Sequence, residues 1–159
     1  PLNICNFSLI IATVSLITRN RYCFEFSYFI GATAALQSLL TPGFLYIYNY
    51  ADYIMFFFQH ALIIILALWN VFVEGMITSK NAILRTMIFL NLMVLPVGVI
   101  NWFVDSNYMY ICEKPHVESP FLFGEWPWYI LSLEVVGLLM MLIAAIPMTM
   151  ASRARSLNN

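Results

Sequence analysis

Residues 82–104 read AILRTMIFLNLMVLPVGVINWFV, 23 positions with one charged side chain, Arg85. At about 1.5 Å of rise per residue such a helix covers about 34 Å, enough to cross roughly 30 Å of bilayer hydrocarbon. The run has no strict alternation of the kind a half-buried strand needs. Working outward, four further apolar runs of similar character cover residues 1–18, 22–40, 53–76 and 128–151. The whole chain is 62% hydrophobic and 9% charged, whereas a soluble chain of 159 residues would show amphipathic runs. Open sheet edges are excluded in lipid and no barrel-type alternation is present, so the spans are helices. The expected class is all-α: a polytopic transmembrane helix bundle of five spans forming one domain, 1–159.

Charge placement orients the bundle. Arg19 and Arg21 fall between the first two spans, Lys80 and Arg85 between or beside the third and fourth, and Arg153 and Arg155 after the fifth. Of the seven cations only Lys114 falls on the other face. By the positive-inside rule the C-terminus is cytoplasmic and the first residue extracytoplasmic, in what reads as an integral membrane protein. A net charge of −1 offers nothing for nucleic acid. The chain opens at Pro1 inside a span, without initiator methionine, n-region or cleavage site, so the first span reads as a membrane helix and the chain as a fragment.

Most connections are short, which makes successive helices antiparallel neighbours. The stretch 105–127 is the exception, an extracytoplasmic loop carrying Tyr108, Tyr110, Phe121, Phe123 and Trp126 and leading into Trp128. That aromatic density suits the membrane interface, so the loop is expected to lie along the surface. Within it Glu113 and Glu118 read as solvated charges, and Lys114 as either solvated or set to meet a lipid phosphate.

Counting rise from the outer end of each span puts Cys5 roughly 6 Å deep, Gln37 roughly 5 Å, His60 roughly 10 Å, Asn101 roughly 5 Å and Glu134 roughly 9 Å. Five polar groups from five helices thus share one leaflet, and intramembrane polar groups face the bundle interior or a cavity. Polarity is enriched there without being confined to it, because Glu25, Glu74 and Asn91 lie deeper or toward the inner face. Tyr53, His60, Ala67 and Glu74 recur every seven residues, while Cys5, Ser8, Ala12 and Ser15 form a small-residue stripe, as do Ser27, Gly31, Ala35 and Ser38. Small stripes let helix backbones approach closely in lipid, and the first three helices are expected to pack together around one cavity open to the outer leaflet. Pro96 predicts a kink in the fourth.

A thiol becomes a nucleophile when a neighbouring imidazole takes its proton, and an oxyanion donor completes the set. Cys5 with His60 fits that pattern, with Asn6, Gln37, Asn101 and Glu134 as orienting or oxyanion-binding candidates. Two plainer readings stand beside it. Cys5 acts as a small hydrophobe and His60 as a satisfied core residue, or Cys5 and Cys112, both on the outer side, form a disulfide. Cys23 reads as inert packing. No lysine lies at mid-span for a Schiff base, His116 in the loop gives no second helical haem ligand, and zinc spacings, a GxSxG elbow and a P-loop are absent.

The segments Leu2-Asn3-Ile4-Cys5-Asn6, Glu25-Phe26-Ser27-Tyr28-Phe29 with Gly31, Ala35-Leu36-Gln37-Ser38-Leu39-Leu40-Thr41-Pro42, Phe57-Phe58-Gln59-His60, Asn107-Tyr108-Met109-Tyr110, Lys114-Pro115 and Trp126-Pro127-Trp128-Tyr129 together resemble the YwaF family of integral membrane proteins. The resemblance runs over nearly the whole chain. It departs at Glu125, where the family pattern more often has proline. The superfamily is described as including an animal cysteine-dependent phospholipid acyltransferase whose Cys and His match Cys5 and His60, and, more distantly, intramembrane lipid-ester hydrolases using threonine and histidine. It also implies a helix before the Cys motif that this chain lacks.

With that resemblance the expected function is a membrane-embedded lipid acyltransferase or lipid-ester hydrolase working through an acyl-thioester in an outer-leaflet cavity. Its partners are membrane lipids, as acyl donor and lysolipid acceptor, and no metal or diffusible cofactor is required. Tyr108, Lys114, Trp126, Trp128 and Tyr129 are the expected substrate-binding residues. The alternative is a non-catalytic lipid- or solute-binding protein or a transporter subunit. The sequence leaves the oligomeric state open.

Overall fold

The computed structural model describes residues 2–42, 49–115 and 121–157. His116 and Glu118, named above, lie outside the described residues. Among the described residues every regular element is helical: α1 (Ile4–Thr18), α2 (Arg21–Ile30), a π-helical turn (Gly31–Ala35), α3 (Leu36–Leu40), α4 (Tyr50–Phe72), α5 (Ala82–Val104), a 3-10 turn (Tyr108–Tyr110) and α6 (Trp128–Leu157). The protein is an all-α integral membrane protein.

Local chemistry sets the boundaries. α1 stops where Arg19 turns left-handed at φ 55°, its N–H still bonded to the Ser15 carbonyl. Asn20 then caps α2 by accepting from the Tyr22 and Cys23 amides. Asn49 caps α4 through the Asp52 amide, and the Asp52 carboxylate suits the positive end of the helix. α4 ends at Phe72, four residues short of the expected limit of 76. Its last turn widens, with Glu74 N–H bonding Trp69 O and Met76 N–H bonding Asn70 O, and Gly75 reverses the chain at φ 64°. Glu74 therefore leaves the helical stripe on which it was expected. α6 runs six residues beyond the expected 151, because its charged end is helical too and hydropathy does not register that.

Length separates the helices. α4, α5 and α6 are each long and apolar enough to cross a bilayer. The 15 residues of α1 give about 22 Å, less than a full crossing. Residues 21–40 form one helical path broken by the π turn at Gly31–Ala35. Ile17, Phe72, Trp102 and Ile143 are mostly exposed on the outer surface, as lipid-facing side chains must be.

α2 is the centre of the bundle: every residue from Phe24 to Ile30 is buried. α1, α4 and α5 pack on it, and Met141 and Met148 of α6 join its core with Ala82 of α5. The Tyr28 hydroxyl donates to the Ala144 carbonyl at 2.8 Å, fastening α2 to α6. The small stripes are buried as close-approach surfaces: Ser8, Ala12 and Ser15 of α1, and Ser27, Gly31 and Ala35 on the α2 path. A Cβ added at Gly31 would stand 3.4 Å from the Ala67 Cβ and 3.5 Å from the Ile63 carbonyl, so the α2 path and α4 are nearly in backbone contact.

One buried carboxylate ties the basic end together. Glu25 is 1% exposed. Its Oε1 accepts from Arg21 Nε at 3.1 Å and from the Ser79 amide at 2.8 Å, and its Oε2 from Arg85 Nη2 at 2.5 Å. Arg85 also donates to the Ser79 hydroxyl and lies over the Tyr22 ring. Nearby, Arg19 pairs with Glu74 at 2.7 Å and Arg155 donates to the Gly75 carbonyl at 2.8 Å.

Candidate functional site

Two ties fix how α1 lies along α4. Asn6 Oδ1 accepts from Gln59 Nε2 at 2.6 Å near one end, and Arg19 meets Glu74 at the other. The sequence offsets are 53 and 55 (74 minus 19), so the two segments run parallel with almost constant register. Ser8, Ala12 and Ser15 of α1 and Ile63, Ala67 and Asn70 of α4 are all buried, and Ile63 and Ala67 also stand against Gly31 of the α2 path. Both helices place these residues at alternating steps of three and four, the spacing of a tight helix–helix seam.

Cys5 and His60 lie toward the end of α1 and α4 that the Asn6–Gln59 hydrogen bond marks. Cys5 is half-buried in the first turn of α1, and its thiol is free, as are those of Cys23 and Cys112. His60 is 6% exposed and therefore faces the bundle, with Nδ1 2.7 Å from the Phe56 carbonyl. A carbonyl only accepts, so Nδ1 carries the proton and Nε2 presents its lone pair. The Phe56 ring packs against the imidazole with centroids 4.3 Å apart and limits its rotation. Asn3 precedes α1 in extended conformation without capping it by its side chain, because its Oδ1 accepts from the Met109 amide at 3.1 Å.

The described part of the 105–127 loop is folded onto these helix ends. Asn101, 2% exposed, donates to the Tyr108 carbonyl at 3.0 Å and accepts from the Tyr108 amide at 2.9 Å. Asn107 Oδ1 accepts from the Cys112 and Glu113 amides. Fully buried Tyr129 donates its hydroxyl to the Tyr110 carbonyl at 2.6 Å, and Trp126 Nε1 donates to the Ile111 carbonyl at 3.0 Å. Lys114 bonds the Gly124 carbonyl at 3.1 Å and shares a cavity of about 380 Å³ with Trp126, Cys112, Glu113 and Glu125. Trp128 is two-thirds exposed.

The expected residues thus divide. Asn6 is drawn to Gln59, beside His60, and Asn101 and Tyr108 hold the loop whose next residue, Met109, meets Asn3. Lys114 and Trp126 line one cleft in the 105–127 loop. Gln37 instead donates to the Thr41 hydroxyl one turn along its own helix at 2.7 Å, and Glu134 of α6 accepts from Asn91 of α5 at 3.2 Å. Two residues gain importance from the structure. Gln59 was read only as part of a motif, and its tie to Asn6 depends on helix register. Ser8, read as packing, lies one turn beyond Cys5 with a buried hydroxyl that has no hydrogen-bond partner.

The family model described as the TMEM164 family matches residues 1–145. No curated protein and no solved structure matches the chain.

Proposed function

Since the chain belongs to the TMEM164 family of membrane proteins, we propose that it is a membrane-embedded lipid acyltransferase or lipid-ester hydrolase with Cys5 as nucleophile and His60 as general base. The observation that carries the reading is the α1–α4 register. Asn6 follows Cys5 and Gln59 precedes His60, so the Asn6–Gln59 hydrogen bond holds together the two segments that carry the proposed pair. The resemblance of the Cys and His motifs to the YwaF family, and to the cysteine-dependent acyltransferase of its superfamily, supports the same pair.

In this reading an acyl ester enters laterally from the leaflet at the outer-loop end. His60 Nε2 takes the Cys5 proton as sulfur bonds to the ester carbonyl carbon, giving a tetrahedral oxyanion. The first-turn position of Cys5 helps, because a helix N-terminus favours negative charge and its leading amides are unpaired within the helix. The Ser8 hydroxyl and the side-chain amide of Asn6 are the further donors for the oxyanion, since the Gln37 amide is engaged by Thr41. The C–O bond breaks, the leaving lysolipid oxygen takes the proton from His60, and the acyl group remains on sulfur. A lysolipid hydroxyl or water, deprotonated by His60, then attacks the thioester and restores the thiol. The cleft at Lys114 and Trp126 would receive the headgroup, and Tyr108 and Tyr129 hold the loop over it. No cofactor enters these steps. The C-terminus is assigned to the cytoplasm of a bacterial cell, the outer loop to its exterior.

The test is turnover of a labelled phospholipid by purified protein in mixed micelles. Cys5→Ala and His60→Ala are each expected to lower kcat/KM by about a thousandfold or more, with the double variant little worse than either, since members of a catalytic unit are not additive. Folded Cys5→Ala protein that turns over lipid at the normal rate would overturn the Cys5 mechanism, and absence of turnover by the wild-type protein would leave the alternative, a non-catalytic lipid- or solute-binding membrane protein.

A further inference from the structure

At the opposite end of the bundle from Cys5 and His60, a cleft of about 500 Å³ opens between α1, α2 and α5. Ile11, Cys23, Phe26, Ile88, Phe89 and Leu92 line its apolar part, and Tyr22, Glu25, Arg85 and Thr86 its polar end. Its volume falls in the range of pockets that hold small organic ligands. Ile88, Phe89 and Leu92 are about half-exposed on the membrane face of α5, so the cleft opens sideways into lipid. Arg85 lies about 5 Å along α5 and Leu92 about 15 Å, so the cleft runs from headgroup level to the bilayer midplane, the depth of one leaflet.

The charge at the polar end selects among lipids. Glu25 stands between Arg21 and Arg85, leaving one excess positive charge, and Lys80 follows Ser79, which bonds the same carboxylate. The Arg85 Nε is buried without an acceptor. Among the described residues this end carries Arg19, Arg21, Lys80, Arg85, Arg153 and Arg155 against the carboxylates of Glu25 and Glu74, a surplus that attracts anionic headgroups.

We propose that this cleft is a second lipid site, which takes one acyl chain of an anionic phospholipid from the leaflet at the basic end and holds its phosphate at Arg85 and Arg21. It is separate from the Cys5 and His60 end and does not depend on the function proposed there.

Cys23 in the cleft wall reports occupancy. The full chain in dodecyl maltoside is alkylated with N-ethylmaleimide in the presence of phosphatidylglycerol, phosphatidylcholine or inorganic phosphate, and labelling is followed by the mass of the Cys23 peptide relative to the same protein without lipid or phosphate. At phosphatidylglycerol about four times Kd, Cys23 labelling slows about fivefold, since protection follows 1 + [L]/Kd. Phosphatidylcholine protects less at equal concentration, and inorganic phosphate, which has no chain to cover the thiol, does not protect. Arg85→Gln removes the preference between the two lipids. Leu92→Trp, on a lipid-facing position that leaves the core intact, removes protection by both. Unchanged Cys23 labelling with either lipid, equal protection by the two, or protection by phosphate alone would overturn the proposal.

Discussion

Replacing Glu25 with alanine removes the one carboxylate that compensates two guanidinium groups at the basic end. Glu25 is 1% exposed and its oxygens take bonds from Arg21, Arg85 and the Ser79 backbone, joining α2 to α5 and to the chain that follows α4. Loss of Glu25 leaves the Ser79 amide and both guanidinium groups without their acceptor, and because the Arg85 side chain is 39% exposed and partly solvated the cost is about 1.5–3 kcal/mol. Arg21 is different: its side chain is 56% exposed, so Arg21→Ala costs less than about 1 kcal/mol. Glu25→Met combined with Arg85→Met removes both charges and regains much of the loss, because a buried ion pair is often no better than a packed apolar pair. Unfolding in mixed micelles, titrated with a denaturing detergent, measures these proteins together with the Glu25→Met and Arg85→Met single variants. If Glu25→Ala and Arg21→Ala lose similar stability, or if the double methionine variant is as unstable as the sum of its single changes, the reasoning fails.

Gly31→Ala is expected to fold normally, because its Cβ would meet Ala67 and Ile63 at ordinary contact distances of 3.4–3.7 Å, whereas Gly31→Leu forces the α2 path from α4 and costs about 1–3 kcal/mol in the same titration. Asn101→Leu removes both bonds to the Tyr108 backbone and should free the outer loop, seen as faster amide exchange at residues 105–113 with little change in α4. Cysteines introduced at Lys80 and Arg153 should be reached by a membrane-impermeant maleimide only from the cytoplasmic face and one at Lys114 only from outside; finding Lys80 and Lys114 on one face would contradict the orientation.

Much of the membrane fold is legible from hydropathy alone. The run 82–104 coincides with α5, and Trp128 starts α6, because apolar length is a direct consequence of bilayer thickness. Helix ends are less legible where backbone chemistry decides them, as at Gly75 after α4 and at Asn3, whose extended conformation puts Cys5 in a first turn and not inside a longer span. The π turn at Gly31–Ala35 leaves no hydropathy signal. At the site, the small stripe on α1 and the repeat of His60 and Ala67 on α4 are visible in the sequence, but the register of the two helices is not, because it depends on the Asn6–Gln59 and Arg19–Glu74 ties. Glu134 and Asn91 were assigned different depths by counting rise, yet they bond each other. Such counting ignores where each helix begins and how it tilts.

The catalytic role of Cys5 is tested most directly by the mass of the Cys5 peptide after the purified protein is incubated with a phospholipid carrying an isotopically labelled acyl chain and quenched in acid. The account predicts a labelled acyl adduct on Cys5 that neutral hydroxylamine removes, that forms far more slowly in His60→Ala, and that is absent from the Cys23 and Cys112 peptides. Turnover of the lipid with no adduct on Cys5, together with an equal rate in Cys5→Ala protein, would contradict it.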